Sequence, residues 1–382
     1  MSKKVWLFIV LSSLGVSVIG DPARAIPPFA RRYGVSCATC HTVWPQLNSF
    51  GNAFLADGFR MPGETDPKTD IGSMIGLAVE TWMVSEEETR GSDFQLHKIE
   101  LLAGGALSGK ASVFVEAYVE ERGAPHEAGD VFIRQDDVLK LGRIPLSIRA
   151  GQFQPSLLNP DGQRISVTRN QVYDSKINGW RLRSPQRGIE LFAYGEDESY
   201  YGISLVNGNG NPAEKNNLSD SNNHKDIGLS INQVLPGHWL GGSNSLGIYA
   251  YTGRITSPLA SGSTYDDKFN RLMLQFDHTR LKGNHKLFGG FMTGKHDNPN
   301  GEGISQDCRG MFIEGNYFLN PSTAAFARWD SFDPDTSKSG DTTREFCLGM
   351  ARVSGLYTKL TGQYRFRDGG NDQLLIEVEA DF

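Results

Sequence analysis

Long hydrophobic runs are scarce in this sequence, which has one apolar stretch of about 16 residues, at positions 5–20. That stretch is shorter than the ~20 residues that a membrane-spanning helix needs. Two lysines precede it, and the small-residue sequence Ala-Arg-Ala follows it at positions 23–25. This order predicts a secretory signal peptide over residues 1–25 rather than a membrane anchor, and therefore an exported protein.

Basic residues are also few. The chain has 38 Lys and Arg against 44 Asp and Glu, a net charge of −6, which becomes about −8 without residues 1–25. This balance excludes a nucleic-acid partner. The lack of a second hydrophobic run leaves a periplasmic protein or a transmembrane barrel, whose alternating strands read as polar. The 44 glycines are well above the usual ~7% and fit a chain with many turns. The 10% of aromatic residues fits the aromatic girdles of a membrane barrel, so both values favour the barrel.

Cysteine is limited to four residues, and two of them, Cys37 and Cys40, form the single C-x-x-C pair of the sequence. Residues 37–41 read CATCH, the attachment pattern of c-type haem. Two thiols at this spacing can add to the two vinyl groups of one porphyrin, and His41 can reach the iron as proximal ligand. A redox pair would not need the histidine, and no second C-x-x-C completes a zinc site. The sequence therefore predicts one covalent haem c on Cys37 and Cys40, with His41 as a metal ligand.

The segment after the motif, residues 42–59, carries apolar side chains at close to helical spacing. A short helix with this face would form a small core and cover the porphyrin. Gly58 would end it, and the following Pro62-Gly63 prevents its continuation. Met61 is the nearest candidate for a sixth iron ligand, since a thioether is a known axial ligand. His97, another methionine or an open position are the alternatives.

A resemblance becomes visible at this point. The segment IPPFARRYGVS at residues 26–36, the CATCH motif, and Pro45, Phe50-Gly51 and Gly58-Phe59 after it resemble the opening of the fused monohaem cytochrome–porins of iron-oxidising bacteria and their relatives. The resemblance implies a small cytochrome domain at residues 26–66, followed by an outer-membrane barrel. It also implies extracellular Fe(II) as electron donor and a periplasmic cytochrome or other electron carrier as acceptor.

Residues 71–382 divide into 16 alternating, strand-like segments, an even number as in bacterial barrels. Connections after every second segment are tight, and the others are mostly long and polar, including one at residues 154–186. Short turns lie in the periplasm and long loops outside in such barrels. In the last segment, Leu374, Ile376, Val378, Ala380 and Phe382 share one face, and Glu377, Glu379 and Asp381 share the other. The prediction is a mainly β chain, a transmembrane antiparallel barrel of about 16 strands with a small helical haem plug. Short segments such as 200–206 would suit a soluble all-β protein better.

Haem position decides the functional interpretation. The hydrocarbon core is ~30 Å thick, so a haem in the periplasm would be too remote from the outer surface. A barrel of about 16 strands can enclose residues 26–66 as a plug. The sequence therefore favours an electron carrier in the lipid of the bacterial outer membrane, passing electrons through one haem, with a possible Fe(II)-oxidising activity. Outward electron transfer would use the same parts.

Two functions of other classes compete with this interpretation. One is a porin in which the haem domain is a plug or a sensor. The other is a haem peroxidase, but no motif in the first 60 residues places a distal His or Arg. The cysteines outside the haem motif, Cys308 and Cys347, leave a disulfide open, because an oxidising compartment permits one.

Overall fold

The computed structural model describes residues 28–65, 71–86, 91–107, 109–121, 124, 128–208, 220, 222–280, 284–354 and 358–381. The predicted signal peptide lies outside these ranges. Within them, no helix combines the length and the apolarity that crossing a membrane requires.

Residues 28–65, called the plug below, contain three short helices and one small hairpin. In chain order these are α1 (Pro28–Tyr33), α2 (Cys37–Cys40), β1 (His41–Val43), β2 (Gln46–Leu47) and α3 (Ser49–Ala56). The predicted helix over residues 42–59 is therefore wrong in its first half, where β1 pairs with β2. The reason is Pro45, which lacks an N–H and disfavours helical backbone at Trp44 before it.

Sixteen strands of the described chain form one closed antiparallel barrel, as predicted. Each strand pairs with its neighbours in sequence, and the last strand pairs with the first. The strands are β3 (Ile75–Glu86), β4 (Ser92–Ala106), β5 (Ala111–Glu121), β6 (Ala128–Leu141), β7 (Ile144–Phe153), β8 (Gln186–Tyr194), β9 (Tyr200–Val206), β10 (Asp226–Leu235), β11 (Ser243–Pro258), β12 (Thr264–Arg280), β13 (His285–His296), β14 (Gln306–Asn320), β15 (Thr323–Asp333), β16 (Thr343–Ser354), β17 (Thr358–Arg367) and β18 (Gln373–Asp381).

The two faces of the barrel wall differ in the way that a membrane barrel requires. On β12, Leu272 and Leu274 are 44% and 50% exposed on the outer face, whereas Arg271 and Gln275 are buried on the inner face. On β18, Val378 is exposed and Glu377 is buried. An apolar outside and a polar inside is the reverse of a water-soluble sandwich. The soluble all-β alternative is therefore excluded, and the outer face of the barrel contacts lipid.

The segment between β7 and β8, residues 154–185, is called the long loop below. Its predicted place among the polar outer loops is wrong, because its middle lies inside the barrel and is apolar. It contains a 3-10 turn at Asp161–Gln163 and a short helix, α4 (Gln171–Asp174). Its buried apolar residues share one core with inward-facing wall residues such as Phe269, Met273 and Phe312; they are Leu157, Val172, Tyr173, Ile177, Trp180 and Leu182.

Cys308 and Cys347 do not form the disulfide that the sequence leaves open, since both are buried free thiols. Strand β15 lies between their strands. Arg309, next to Cys308, pairs with Asp333, whereas Cys347 pairs with Arg328. The two cysteines are therefore displaced by about six residues, or ~20 Å, along the strand direction. A disulfide needs Cα atoms within ~7 Å.

Candidate functional site

The two cysteines of the CATCH motif occupy the single helical turn α2. Residues three apart lie on the same side of a helical turn, so Cys37 and Cys40 share one side. Both are half-buried, and neither is in a disulfide. Burial raises the pKa of the Cys37 thiol, and the charge of Asp381 on β18 adds to this effect. The spacing of two thiols outside any disulfide fits two thioether bonds to one porphyrin.

His41 follows directly and has a defined tautomer. Its Nδ1 lies 3.0 Å from the carbonyl oxygen of Pro45, which can only accept, so Nδ1 donates. The lone pair is therefore on Nε2, the atom that would ligate a metal. Burial lowers the pKa of His41 to about 4, so the imidazole is neutral at neutral pH. A neutral, oriented imidazole is what an axial haem ligand must be.

An aromatic cluster fixes one side of the plug against the barrel wall. Phe29 of α1 stacks on Phe59 at 5.0 Å between ring centroids, and Phe54 of α3 meets Phe29 edge to face at 5.3 Å. Phe59 stacks in turn on Phe114 of β5 at 6.0 Å. Buried aromatic pairs in these arrangements each contribute ~0.5–1.5 kcal/mol beyond area burial. The cluster holds the plug at the end of the barrel where β4 and β5 connect.

The opposite side of the plug contacts the far wall and the long loop. Val43 is buried in one cluster with Ile165 of the long loop and with Phe326 of β15. The ring of Trp44 faces the ammonium group of Lys359 on β17 at 4.8 Å. The plug therefore contacts the wall at β5, β15 and β17 and meets the long loop. The role of residues 26–66 as a haem-carrying plug stays a prediction.

The candidates for the sixth iron ligand lie in different settings. Met61 is half-buried, and its backbone N–H donates to Oε2 of Glu64 at 3.1 Å. His97 is on β4, buried, and stacks on Trp82 with ring centroids 3.5 Å apart. Its Nε2 lies 3.9 Å from Oε1 of Glu80. The assignment of Met61 stays a prediction.

Inward-facing carboxylates on neighbouring strands form a second feature, called the acidic wall below. Its two cations are Lys98, with Nζ 2.8 Å from Glu100, and Lys359, with Nζ 3.0 Å and 2.8 Å from Glu377 and Glu379. Six buried or half-buried carboxylates face these two lysines; they are Glu80, Glu100, Glu116, Glu377, Glu379 and Asp381. The alternation in the last strand placed three of them on one face, but the sequence does not show that β3, β4 and β5 bring the others beside them.

The long loop is held inside the lumen by buried hydrogen bonds to the wall and is stiffened by ion pairs within the loop, and sequence reasoning missed these residues. Arg328 of β15 is buried, and its guanidinium donates to Oγ of Ser166 at 2.8 Å. Within the loop, Oδ2 of Asp161 lies 3.2 Å from Arg164 and 2.7 Å from Arg169. The positive charges outweigh the effect of burial and hold the pKa of Asp161 well below its usual range. Paired buried charges and an apolar core thus fix the loop in the lumen.

Solved structures with a similar fold are outer-membrane porins and channels. The chain is similar to OmpT of Vibrio cholerae, with a TM-score of 0.56 and 8% identity over 81% of this chain and 98% of that one. It is similar to an anion-selective porin from Comamonas acidovorans, with a TM-score of 0.55 and 11% identity over 81% and 98% of the two chains. No protein-family model matches the sequence, and no curated protein is similar to it. The closed barrel, its apolar outer face and these likenesses together show that this chain is a bacterial outer-membrane β-barrel with the porin fold.

Proposed function

We propose that this protein passes electrons across the outer membrane through one c-type haem held by the plug. The observation that carries the proposal is the position of the Cys37–His41 motif, which is built into a folded insert inside a porin barrel. Cys37 and Cys40 would hold the porphyrin, and Nε2 of His41 would ligate the iron. When bound, the haem would supply a one-electron couple between Fe(III) and Fe(II). The barrel wall would insulate it from lipid.

The donor and acceptor follow from the resemblance to the cytochrome–porins. Extracellular Fe(II) would give electrons inward, and a periplasmic cytochrome or similar carrier would receive them. The acidic wall does not by itself favour this direction, because inward-facing negative charge stabilises the oxidised, more positive state of a nearby redox centre and so lowers its reduction potential. A centre of low potential would accept electrons only from a stronger reductant, so the potential is the quantity to measure.

The second candidate is a porin whose plug is structural, and the likeness to porins and channels favours it. The packing of the lumen opposes it. A diffusion pore needs a wet, polar passage, whereas the long loop packs an apolar core against one side of this lumen and narrows it. Trp180 and Tyr173 of the loop are each at most 5% exposed. A barrel packed in this way would conduct ions poorly.

The experiment uses the full-length protein, made together with a haem-attachment system and reconstituted into liposomes that enclose an electron acceptor. A membrane-impermeant reductant, Fe(II) held by a bulky chelator, is added outside. The proposal expects haem reduction followed by reduction of the enclosed acceptor, with loss of both in His41→Ala. The control His224→Ala changes an exposed histidine outside the strands and should behave as wild type.

Each of the other outcomes has a clear meaning. A haem that stays oxidised in intact vesicles would reject the conduit. A preparation without covalent haem, combined with a large ion conductance in planar bilayers, would establish the porin instead. Reduction of the enclosed acceptor that persists in His41→Ala would show that electrons bypass the motif.

A further inference from the structure

We infer that Asn48 and Gly51 are positioning residues that lock the Cys37–His41 turn and thereby set the haem potential. This inference rests on the proposed function, because it concerns the same haem site. Neither residue is a metal ligand. Both act through the backbone of the turn that carries the thiols and the imidazole.

Asn48 connects the end of α2 to the start of α3. Its side-chain amide donates to the carbonyl oxygens of Ala38 and Thr39 at 3.3 Å and 3.1 Å. Its side-chain oxygen accepts from the backbone N–H of Gly51 at 3.0 Å, as the N-cap of α3. Its own backbone N–H donates to the carbonyl oxygen of Cys40 at 2.9 Å. One residue therefore binds three successive carbonyls of the CATCH turn.

These contacts matter because α2 is a single turn. A helix of four residues is unstable by itself, since nucleation fixes several dihedrals for one hydrogen bond. The last carbonyls of any helix have no partner within that helix. Asn48 supplies partners for the carbonyls of residues 38–40. The turn has one helical bond of its own, from the N–H of His41 to the carbonyl oxygen of Cys37, and Asn48 supplies the additional contacts that hold it.

Gly51 allows the close approach of α3 that makes these contacts geometrically feasible. A Cβ atom at this position would lie 2.2 Å from the carbonyl oxygen of Cys40 and 2.9 Å from the side chain of Leu47. The oxygen of Cys40 belongs to the backbone, so it cannot rotate out of the way as a flexible side chain could. Any larger residue would therefore push α3 away from the turn and weaken the hydrogen bonds of Asn48.

Asn48→Asp separates the two roles of the side chain. The aspartate keeps the N-cap oxygen for Gly51, since Asp caps as well as Asn. It loses the amide donors and places a negative charge beside two carbonyl oxygens. Gly51→Ala tests the close approach. The matched controls are Asn170→Asp, which caps α4 with an oxygen that accepts from Tyr173 at 3.0 Å, and Gly162→Ala, where a Cβ would meet no atom within 4 Å.

Three quantities are measured on the holoprotein in detergent, namely covalent haem per chain, the reduction potential, and backbone hydrogen exchange of residues 36–52. We expect Asn48→Asp and Gly51→Ala to keep covalent haem while exchange in this segment speeds up about tenfold. The potential should shift by about 59 mV, the equivalent of a tenfold change for a one-electron couple. The controls should leave all three quantities as in wild type.

The outcomes separate this inference from the proposed function. If wild type carries no covalent haem, the proposed function fails and this inference fails with it. If wild type carries haem, but both variants match their controls in potential and exchange, this inference alone is overturned. Should Gly51→Ala fail to form a barrel, Asn48→Asp decides, because it keeps the helix cap.

Discussion

The guanidinium group of Arg60 lies 3.1 Å from the carboxylate of Asp136, and this buried ion pair joins the plug to strand β6. The same guanidinium donates to the carbonyl oxygens of Gly109 and Ala111 at 2.9 Å and 3.0 Å. From the wall side, Arg134 donates to the carbonyl oxygens at the end of α3, at 2.8 Å in the case of Leu55. Two arginines, one from each partner, thus fasten the plug to the end of the barrel.

Removal of the Arg60 side chain should therefore loosen the plug without unfolding the barrel. In Arg60→Ala, Asp136 keeps only Arg134 as a cationic partner, and the carbonyl oxygens of Gly109 and Ala111 lose their donor. The attachment of the plug should weaken by about 3 kcal/mol. Limited proteolysis of reconstituted protein should then cut residues 28–65 much faster than in wild type. Arg344→Ala serves as control, because both side chains of its ion pair with Asp368 are exposed and the pair should contribute ~0–1 kcal/mol. Equal cleavage in the two variants would contradict this role of Arg60.

The apolar core of the long loop should keep the barrel closed to ions. The ring of Trp180 lies 5.1 Å from Tyr251 and 5.0 Å from Phe269 between centroids, so its removal leaves a large cavity. Trp180→Ala should cost about 3–5 kcal/mol of loop packing and raise the single-channel conductance in planar bilayers. Trp239→Ala removes an indole that is 69% exposed and should leave conductance unchanged. A wild-type protein that already conducts like an open porin would refute the closed lumen.

Acid should release the long loop from the lumen, because protonation of Asp161 removes its ion pairs with Arg164 and Arg169. Because its pKa is held below the usual range in the folded loop, the unfolded loop binds a proton more readily. Loop stability is then full above about pH 4 and falls as the pH drops further. Asp161→Asn should lose this stabilisation at every pH, about 3 kcal/mol for a broken buried pair. The release of the loop is measured as ion conductance in planar bilayers from pH 7 to pH 3. The conductance of wild type should rise only near pH 3, whereas that of Asp161→Asn should already be high at pH 7. A wild-type conductance that is independent of pH would argue against Asp161 as the support.

The barrel could be predicted from the sequence because its signal is local and repeated. Two-residue alternation fixes which side chains face lipid, as Leu272 and Leu274 do, and the connection lengths fix the order of the strands. The hairpin at Trp44-Pro45 could have been predicted as well, since a proline in the middle of a helix removes a hydrogen bond. The motif at Cys37 to His41 is visible because its spacing is fixed, and the haem that this spacing predicts stays a prediction.

The contents of the lumen could not be predicted, since they depend on contacts between segments far apart in sequence. Arg328 meets Ser166, a separation of 162 residues, and nothing local to either residue signals the other. A loop rich in polar residues looks like a solvated loop until the wall residues that receive Trp180 and Leu182 are known. The acidic wall could not be predicted for the same reason, because its carboxylates on β18 and β3 become neighbours only when the barrel closes.

The acidic wall should lower the haem potential, and Asp381 is the residue that tests it most directly. It is buried, one of its carboxylate oxygens has no hydrogen-bond partner, and its charge acts on Cys37. Asp381 is buried beside other carboxylates, which favours its neutral form, so the potential is measured in alkaline solution where Asp381 is ionised. There its negative charge stabilises Fe(III) over Fe(II), and Asp381→Asn should raise the reduction potential. At an effective dielectric constant of about 20 and a separation on the order of 10 Å, one charge contributes roughly 1.7 kcal/mol, or about 70 mV. Spectroelectrochemical titration measures the shift. Asp368→Asn, whose partner Arg344 lies 3.0 Å away on the exposed surface, should give the wild-type value. Equal potentials in Asp381→Asn and wild type would mean that solvent or counter-ions screen the wall, and the lumen would then have to be wet on that side.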